Sequence, residues 1–403
     1  MFRQKLINLC RSSSLLINLN HSPLNLWGQA RRLSFLKPSN QLKTKSESLQ
    51  TQNKIISHQT DKIDPFNLSF QVLIEDIYSN QSDVPQLLEA KQWLQKALEY
   101  NIHNGKRNRG NALLTTFRHF CPEIDDDENA LTKVCLLAWC VELLQSIFLI
   151  YDDIMDNSTT RRGQLCWYRN KDVGMIALND GLMIQSTIYF IMKKYFSSSP
   201  NYIQLIDLFN SVTFQTTLGQ CLDLLSSSLD FSKFTEDRYD AIVKYKTGYY
   251  SFSLPIRLAL YLANITDQEL HSQSEKILLE IGQFFQVQDD YLDCFGDPKF
   301  TGKIGTDIED GKCSWLVVKA LKLADPGQRS IIEKNYGIKS EESVDAVKQI
   351  YNNLNLKNKF RSYENAKFNE ITSLIEQMKI DTESSSLKAI LFEILKTIHE
   401  RQK

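Results

Sequence analysis

From Pro65 to the C-terminus, apolar residues recur at three- and four-residue steps, while strand-like alternation and short Gly-flanked runs are scarce. The pattern predicts helix almost throughout. Breaks fall at Cys121–Glu128, Ser197–Pro200, Leu225–Phe231, Gly296–Gly305 and Asp325–Gln328. None is long or polar enough to mark a domain boundary, so residues 65–403 are expected to form one all-α domain of about 340 residues. The longest apolar stretch, Val134–Tyr151, carries Glu142 and Gln145. A bilayer-spanning helix rarely holds both, so this is read as a helix buried in protein, and no transmembrane segment is expected.

The N-terminal end follows another rule. Residues 1–46 contain eight Lys/Arg and no Asp or Glu; the first acid is Glu47. A basic, serine-containing, acid-free leader has the character of a mitochondrial transit peptide, and its apolar pieces are too short for a secretory core. Arg31-Arg32-Leu33-Ser34 resembles a matrix-processing site. Residues 47–64, rich in Gln, Ser, Thr and Lys, read as a polar linker. Without a working leader the protein would be cytoplasmic. The net charge of −1 gives no global field for nucleic acid, so an anionic substrate has to be held by local basic residues. The eight cysteines form no CxxC pair and no zinc spacing.

The candidate chemistry lies in two acidic motifs. Asp152-Asp153-Ile154-Met155-Asp156 ends the long apolar stretch and is followed by Arg161-Arg162-Gly163-Gln164. On a helix Asp152 and Asp156 project from one face, with Gln145 two turns before them. Carboxylates so placed repel unless a cation bridges them. Magnesium, which takes one or two carboxylates together with waters and phosphate oxygens, fits that arrangement. The same spacing recurs at Asp289-Asp290-Tyr291-Leu292-Asp293, again late in an apolar helix. One DDxxD is weak, since acidic clusters usually mark a solvated face; Asp125-Asp126-Asp127-Glu128, with no apolar helix before it, reads as such a surface. Two spaced motifs could hold a diphosphate through shared metal ions. Lys106 and Arg109, in Gly105–Gly110, could grip a second diphosphate, although the segment alone equally suits a solvated basic turn. Thr216, Gln220 and Asp223 share one helix face and, if buried, need partners.

The ordered set GKRNRG (105–110), ELLQ (142–145), DDIMD…TRRGQ (152–164), GQCLD (219–223), KYKTGYYSFSLP (244–255), GQFFQVQDDYLDCFGD (282–297) and TGKIGTDIEDGKCSWL (301–316) resembles the trans-prenyltransferase, or isoprenyl diphosphate synthase, family. The resemblance is to its animal farnesyl and geranyl diphosphate synthases and runs from about residue 66 to the end. It implies an isoprenoid-synthase-type helical bundle around a central cavity, in a homodimer. The implied activity joins isopentenyl diphosphate to dimethylallyl and geranyl diphosphate, giving geranyl or farnesyl diphosphate. Asp152, Asp153, Asp156 and Asp289 would bind Mg2+, with Mn2+ or Co2+ as substitutes. Arg161, Lys246, Thr247, Gln286, Lys303 and Lys312 would contact the allylic diphosphate. Lys106, Arg109, Gln145 and Arg162, with Arg401, would hold isopentenyl diphosphate. Catalysis would rest on Asp152, Asp156, Lys246 and Asp289.

Animal members carry two aromatic residues five and four positions before the first aspartate. Here these are Ile147 and Phe148, with Tyr151 in place of a smaller residue. These three are the expected chain-length positions, and they leave product length open. The alternative is a terpene synthase recruited from the same scaffold. Such a recruit should lose its isopentenyl diphosphate grip, yet all four grip residues are present.

Overall fold

The apolar run predicted to be a core helix is one, and the others assemble on it in a computed structural model. It describes residues 64–79, 84–102, 105–226, 230–297, 305–378 and 382–402. The leader 1–46, the linker except Asp64, and Lys303 lie outside the described residues. In chain order the first helices are α1 (Pro65–Ser79), α2 (Leu87–Ile102), α3 (Asn108–Phe120) and α4 (Glu128–Met155). A hairpin of β1 (Thr160–Arg161) and β2 (Gln164–Leu165) follows, then α5 (Ala177–Phe196), α6 (Tyr202–Ser226) and α7 (Glu236–Ile242). A π-helical segment, Val243–Ser253, leads into α8 (Leu254–Leu262), α9 (Gln268–Phe295) and α10 (Trp315–Leu323). The chain ends with α11 (Pro326–Asn335), α12 (Glu341–Asn353), α13 (Leu356–Glu376) and α14 (Thr382–His399). The all-α class is thus as expected, and residues from Asp64 onward belong to one unit.

Helix α4 explains why the bundle holds together. Asp127 caps it by accepting from the Ala130 N–H at 3.0 Å, which satisfies a donor the first turn would otherwise leave bare. Asp125 pairs with Arg118 at 2.7 Å on the surface, as a solvated acidic segment should. Between Val134 and Ile150 the helix is apolar on nearly all sides, as a helix surrounded by others must be. It is long and apolar enough to cross a membrane, yet 78% of its most apolar 18-residue stretch is covered by the protein itself. Its Trp139 donates to the Phe66 carbonyl at 2.9 Å and lies 4.4 Å from the Phe66 ring, which fastens α1. Truncating a fully buried residue such as Leu143 should cost about 2–5 kcal/mol.

The predicted breaks coincide with real helix ends, but others carried no Gly/Pro signal. Asn264 (φ 62°) and Asn355 (φ 56°) take the left-handed conformation at such junctions, a role asparagine can share with glycine. The hairpin is a short strand pair within a sequence read as helical. The π-helical segment was not legible either. Its geometry shows in the Leu254 N–H, which bonds the Tyr249 carbonyl five residues back. Such widened turns are rare and tend to sit at functional sites.

Candidate active site

Several elements converge on one polar cavity of about 230 Å³. The end of α4 supplies Asp152 and Asp156, α6 supplies Asp223, and the π-helical segment supplies Lys246 and Thr247. Helix α9 contributes Gln286 and Asp289, and Lys312 enters from the loop before α10. The close approach of α6 to the π-helical segment depends on Gly219, where a Cβ would fall 2.1 Å from the Lys246 backbone nitrogen. Any larger residue there would push Lys246 away from its carboxylates.

The charges interlock. Lys246 Nζ lies 2.7 Å from Asp223 Oδ2 and 3.2 Å from Asp152 Oδ1. Lys312 Nζ lies 2.7 Å from Asp156 Oδ2 and 3.4 Å from the same Asp223 oxygen. Gln220 donates to Asp152 Oδ1 at 3.0 Å, and Thr247 donates to Gln286 Oε1 at 3.3 Å. Burial, the strongest single influence on Asp152, favours its neutral form, but Lys246, Arg161 and Lys312 together hold the carboxyl below its usual range. Asp156 is pushed up by burial, which Lys312 only partly offsets. Burial works against the ammonium of Lys246, and Asp223 and Asp152 more than reverse it. Both lysines therefore stay charged, and Asp152 stays ionised.

This cavity shares Asp152, Lys246 and Thr247 with a second, apolar one of about 290 Å³. Its walls include Phe148, Tyr151 and Met155 from α4, Leu224 from α6, and Tyr250. Phe148 meets the Tyr250 ring edge-on at 5.3 Å. Tyr151 donates to the Leu178 carbonyl at 3.0 Å. A pocket of fixed charge thus shares a wall with an apolar one.

A second basic group gathers beside α4. Arg109 donates to Ser251 Oγ at 2.7 Å and to the Tyr250 hydroxyl at 3.1 Å. Gln145, its carbonyl oxygen 2.6 Å from Arg109 Nη1, donates to Glu142 Oε2 at 3.2 Å. Desolvation first, then repulsion from Arg109 and Arg161, lowers the pKa of Arg162 more than Glu142 raises it. Crowded guanidinium groups of this kind favour an anion. Lys106 is exposed on the loop before α3.

Several expected residues stand elsewhere. Asp153, expected among the metal ligands, is turned one helical step from Asp152 and is buried. There it accepts from Arg161 Nε at 2.9 Å and from its Nη2. Arg161 is accordingly tied to Asp153 and, at 3.3 Å, to Asp152, and it lines a narrow recess behind α4 instead of the diphosphate-sized cavity. Asp290 repeats the pattern in the second motif: it holds the Tyr239 hydroxyl and the Trp315 N–H, each at 2.8 Å. In both motifs the first aspartate faces the cavity and the second anchors the frame, although Asp290 also reaches the cavity wall. Ile147, 4% exposed, belongs to the apolar core and not to the cavity wall. Arg401, expected on isopentenyl diphosphate, bonds Asp289 Oδ1 at 3.1 Å and covers the Phe285 ring. Asp223, the carboxylate both lysines share, had been legible only as a polar position on the Thr216–Gln220 face.

Among the described residues no three His, Cys, Asp or Glu side chains converge into a ready-made metal cage. The donor set still suits a hard cation: Asp152, Asp156 and Asp289 offer only carboxylate oxygens, and positive charge already bridges the first two to Asp223. Magnesium usually takes few protein ligands and completes its shell with water and phosphate.

An all-α bundle in which two acidic motifs share one highly charged cavity, next to an apolar one with which it shares wall residues, has the architecture of an isoprenoid synthase. The chain belongs to the polyprenyl synthetase family, whose model matches residues 91–354. It is 47% identical to the farnesyl pyrophosphate synthase of Bos taurus over 320 residues, covering 79% of this chain and 90% of that one. Against the rat enzyme of the same name it is 44% identical over 356 residues, covering 87% and 99%. The T. brucei farnesyl diphosphate synthase, solved in complex with a bisphosphonate, matches with a TM-score of 0.75 at 32% identity. That match covers 84% of this chain and 100% of the trypanosome chain. The protein is a prenyltransferase, a short-chain prenyl diphosphate synthase.

Proposed function

We propose that the enzyme condenses isopentenyl diphosphate with dimethylallyl diphosphate, and then with the geranyl product, to give geranyl and farnesyl diphosphate. The observation that carries this reading is the wall that the Asp152/Asp156/Asp289 cavity shares with the apolar pocket lined by Phe148 and Tyr151. The allylic diphosphate lies in the first and its hydrocarbon tail in the second. Asp152, Asp156 and Asp289 would hold Mg2+, which when bound neutralises the diphosphate and polarises its bridging oxygen. Lys246 and Lys312 point fixed positive charge at the same oxygens, stabilising the negative charge that grows as the allylic C–O bond ionises.

Arg109 and Arg162 hold isopentenyl diphosphate so that its double bond meets the allylic cation, with Lys106 and Gln145 assisting. Such placement replaces a bimolecular encounter with an oriented one. The proton lost from the isopentenyl unit passes to the released diphosphate, which the two lysines keep at hand. Phe148, Tyr151, Leu224 and Tyr250 exclude the water that would quench the cation. Asp153 acts here by fixing Arg161, and Lys303 is assigned to the allylic diphosphate from the motif alone. The intact arginine pair argues against a terpene synthase, which has no isopentenyl diphosphate to hold.

We assign the enzyme to a homodimer, for which exposed Phe214, Leu218 and Leu225 on α6 offer an apolar face. We assign residues 1–46 to mitochondrial import from their acid-free composition. The decisive experiment incubates leader-free protein with labelled isopentenyl and dimethylallyl diphosphates and Mg2+, then chromatographs the dephosphorylated products. Ten- and fifteen-carbon alcohols are expected; release of cyclic or unelongated hydrocarbon would overturn the assignment.

A further inference from the structure

The hairpin that carries Arg161 and Arg162 is built against local preference. Its pairs are Thr160 with Leu165 and Arg161 with Gln164, leaving Arg162-Gly163 as a two-residue loop. Both loop residues have positive φ, 53° and 77°, which is the pattern of a type I′ turn. Glycine takes that conformation freely, and arginine does so at a cost. Something outside the hairpin has to hold it.

The end of α2 does so through three bonds. The Tyr100 hydroxyl donates to the Leu165 carbonyl at 2.8 Å. Gln164 Nε2 donates to the Tyr100 carbonyl at 3.1 Å, and Arg162 Nη1 donates to the Asn101 carbonyl at 3.1 Å. Gly105 leaves room for the guanidinium: a Cβ there would lie 2.9 Å from Arg162 Nη1. The clamp is itself anchored in the core. The Tyr100 ring lies 4.9 Å from the Trp167 ring. The indoles of Trp93 and Trp167 each donate at 2.8 Å to one oxygen of Asp180, which is fully buried.

We propose that Tyr100 and Gln164 are positioning residues that hold the strained turn, so that Arg162 presents its guanidinium to the isopentenyl diphosphate. Neither touches substrate; both act through Arg162. The inference rests on the assignment of Arg162 to that diphosphate. It implies that the second substrate site is set from α2, a helix outside the aspartate motifs.

The test measures steady-state kinetics of Tyr100→Phe, Gln164→Ala and Arg162→Ala, and of Tyr100→Phe combined with Arg162→Ala. Phe keeps the ring on Trp167, and melting curves check that each variant is folded. Each clamp variant should raise KM for isopentenyl diphosphate about five- to tenfold, the worth of one hydrogen bond. The KM for the allylic substrate and kcat should stay within about twofold, and Arg162→Ala should raise the isopentenyl diphosphate KM by more. In the Arg162→Ala background, Tyr100→Phe should add nothing. Equal added loss there would mark Tyr100 as merely structural and overturn the proposal. An effect of Arg162→Ala without one from either clamp residue would also overturn it while leaving the Arg162 assignment standing. If Arg162→Ala itself left that KM unchanged, the assignment would fall and the clamp with it.

Discussion

Tyr151 departs from the family pattern, and the structure shows what makes room for it. Its ring lies against Gly181 of α5, where a Cβ would come within 2.5 Å of the Tyr151 Cζ and hydroxyl oxygen. Non-bonded carbons settle at roughly 3.5–4.0 Å, so Gly181→Ala requires the ring to retreat by about 1 Å. The same side chain lines the apolar cavity of about 290 Å³, so a retreat toward that cavity shortens the space for the growing tail. Losing the bond to Leu178 should cost about 1 kcal/mol, and overpacking about 1–3 kcal/mol. The gain from replacing a helical glycine, about 1 kcal/mol, offsets some of this.

If the tail meets the displaced ring, the same 1–3 kcal/mol weighs against the second condensation, which is roughly a 5- to 160-fold change in the ratio of fifteen- to ten-carbon product. Chromatography of dephosphorylated products reads that ratio, and a melting curve reads the stability loss. Adding Tyr151→Leu to Gly181→Ala should restore the longer product. A lowered melting temperature with an unmoved product ratio would refute the reasoning, because the ring would then have moved without belonging to the wall.

Phe148→Ala, which opens the floor one turn below Asp152, should add products of twenty carbons or more, read by the same chromatography. Ile147→Phe should instead lower stability by about 1–3 kcal/mol in thermal melts and leave the products alone, since Ile147 packs in the core. Asp152→Ala and Asp289→Ala should abolish most turnover at saturating Mg2+ while far-ultraviolet circular dichroism stays helical. Asp153→Asn, which takes the charge from Arg161's buried partner, should lower the melting temperature but leave the Mg2+ concentration for half-maximal rate nearly unchanged. His271 is held below its usual 6.5 by burial, so the folded state keeps it neutral while the unfolded state takes a proton. Stability is therefore lost as pH falls below about 6.5, and His271→Phe should flatten that acid-side decline in melting temperature.

The two DDxxD motifs were legible because helical spacing places their first and last aspartates on one face, and the apolar helices before them said that this face was enclosed. The same spacing could not say that Asp153 and Asp290 would turn inward, because their partners, Arg161 and the Trp315 N–H, are set by chain folding and not by the motif. Resemblance singled out Lys246, and it lines the polar cavity. Its dependence on a π-helical register and on Gly219 was hidden, since a widened turn leaves the apolar period almost unchanged. Ile147 shows the limit of position counting: one residue from Phe148, it faces the opposite environment.

The pairing of Lys246 and Lys312 with Asp152, Asp156 and Asp223 bears on how the site is loaded. At rest the three carboxylates share two ammonium groups, out of contact with much of the solvent. A diphosphate arriving alone would draw off the lysines and strand buried carboxylates without counter-charge; a cation arriving alone would strand the lysines. Each ligand thus supplies the partner that the other displaces. Their affinities must be linked, each raising the other by the same factor, and the enzyme should accept its first substrate and its metal as a set.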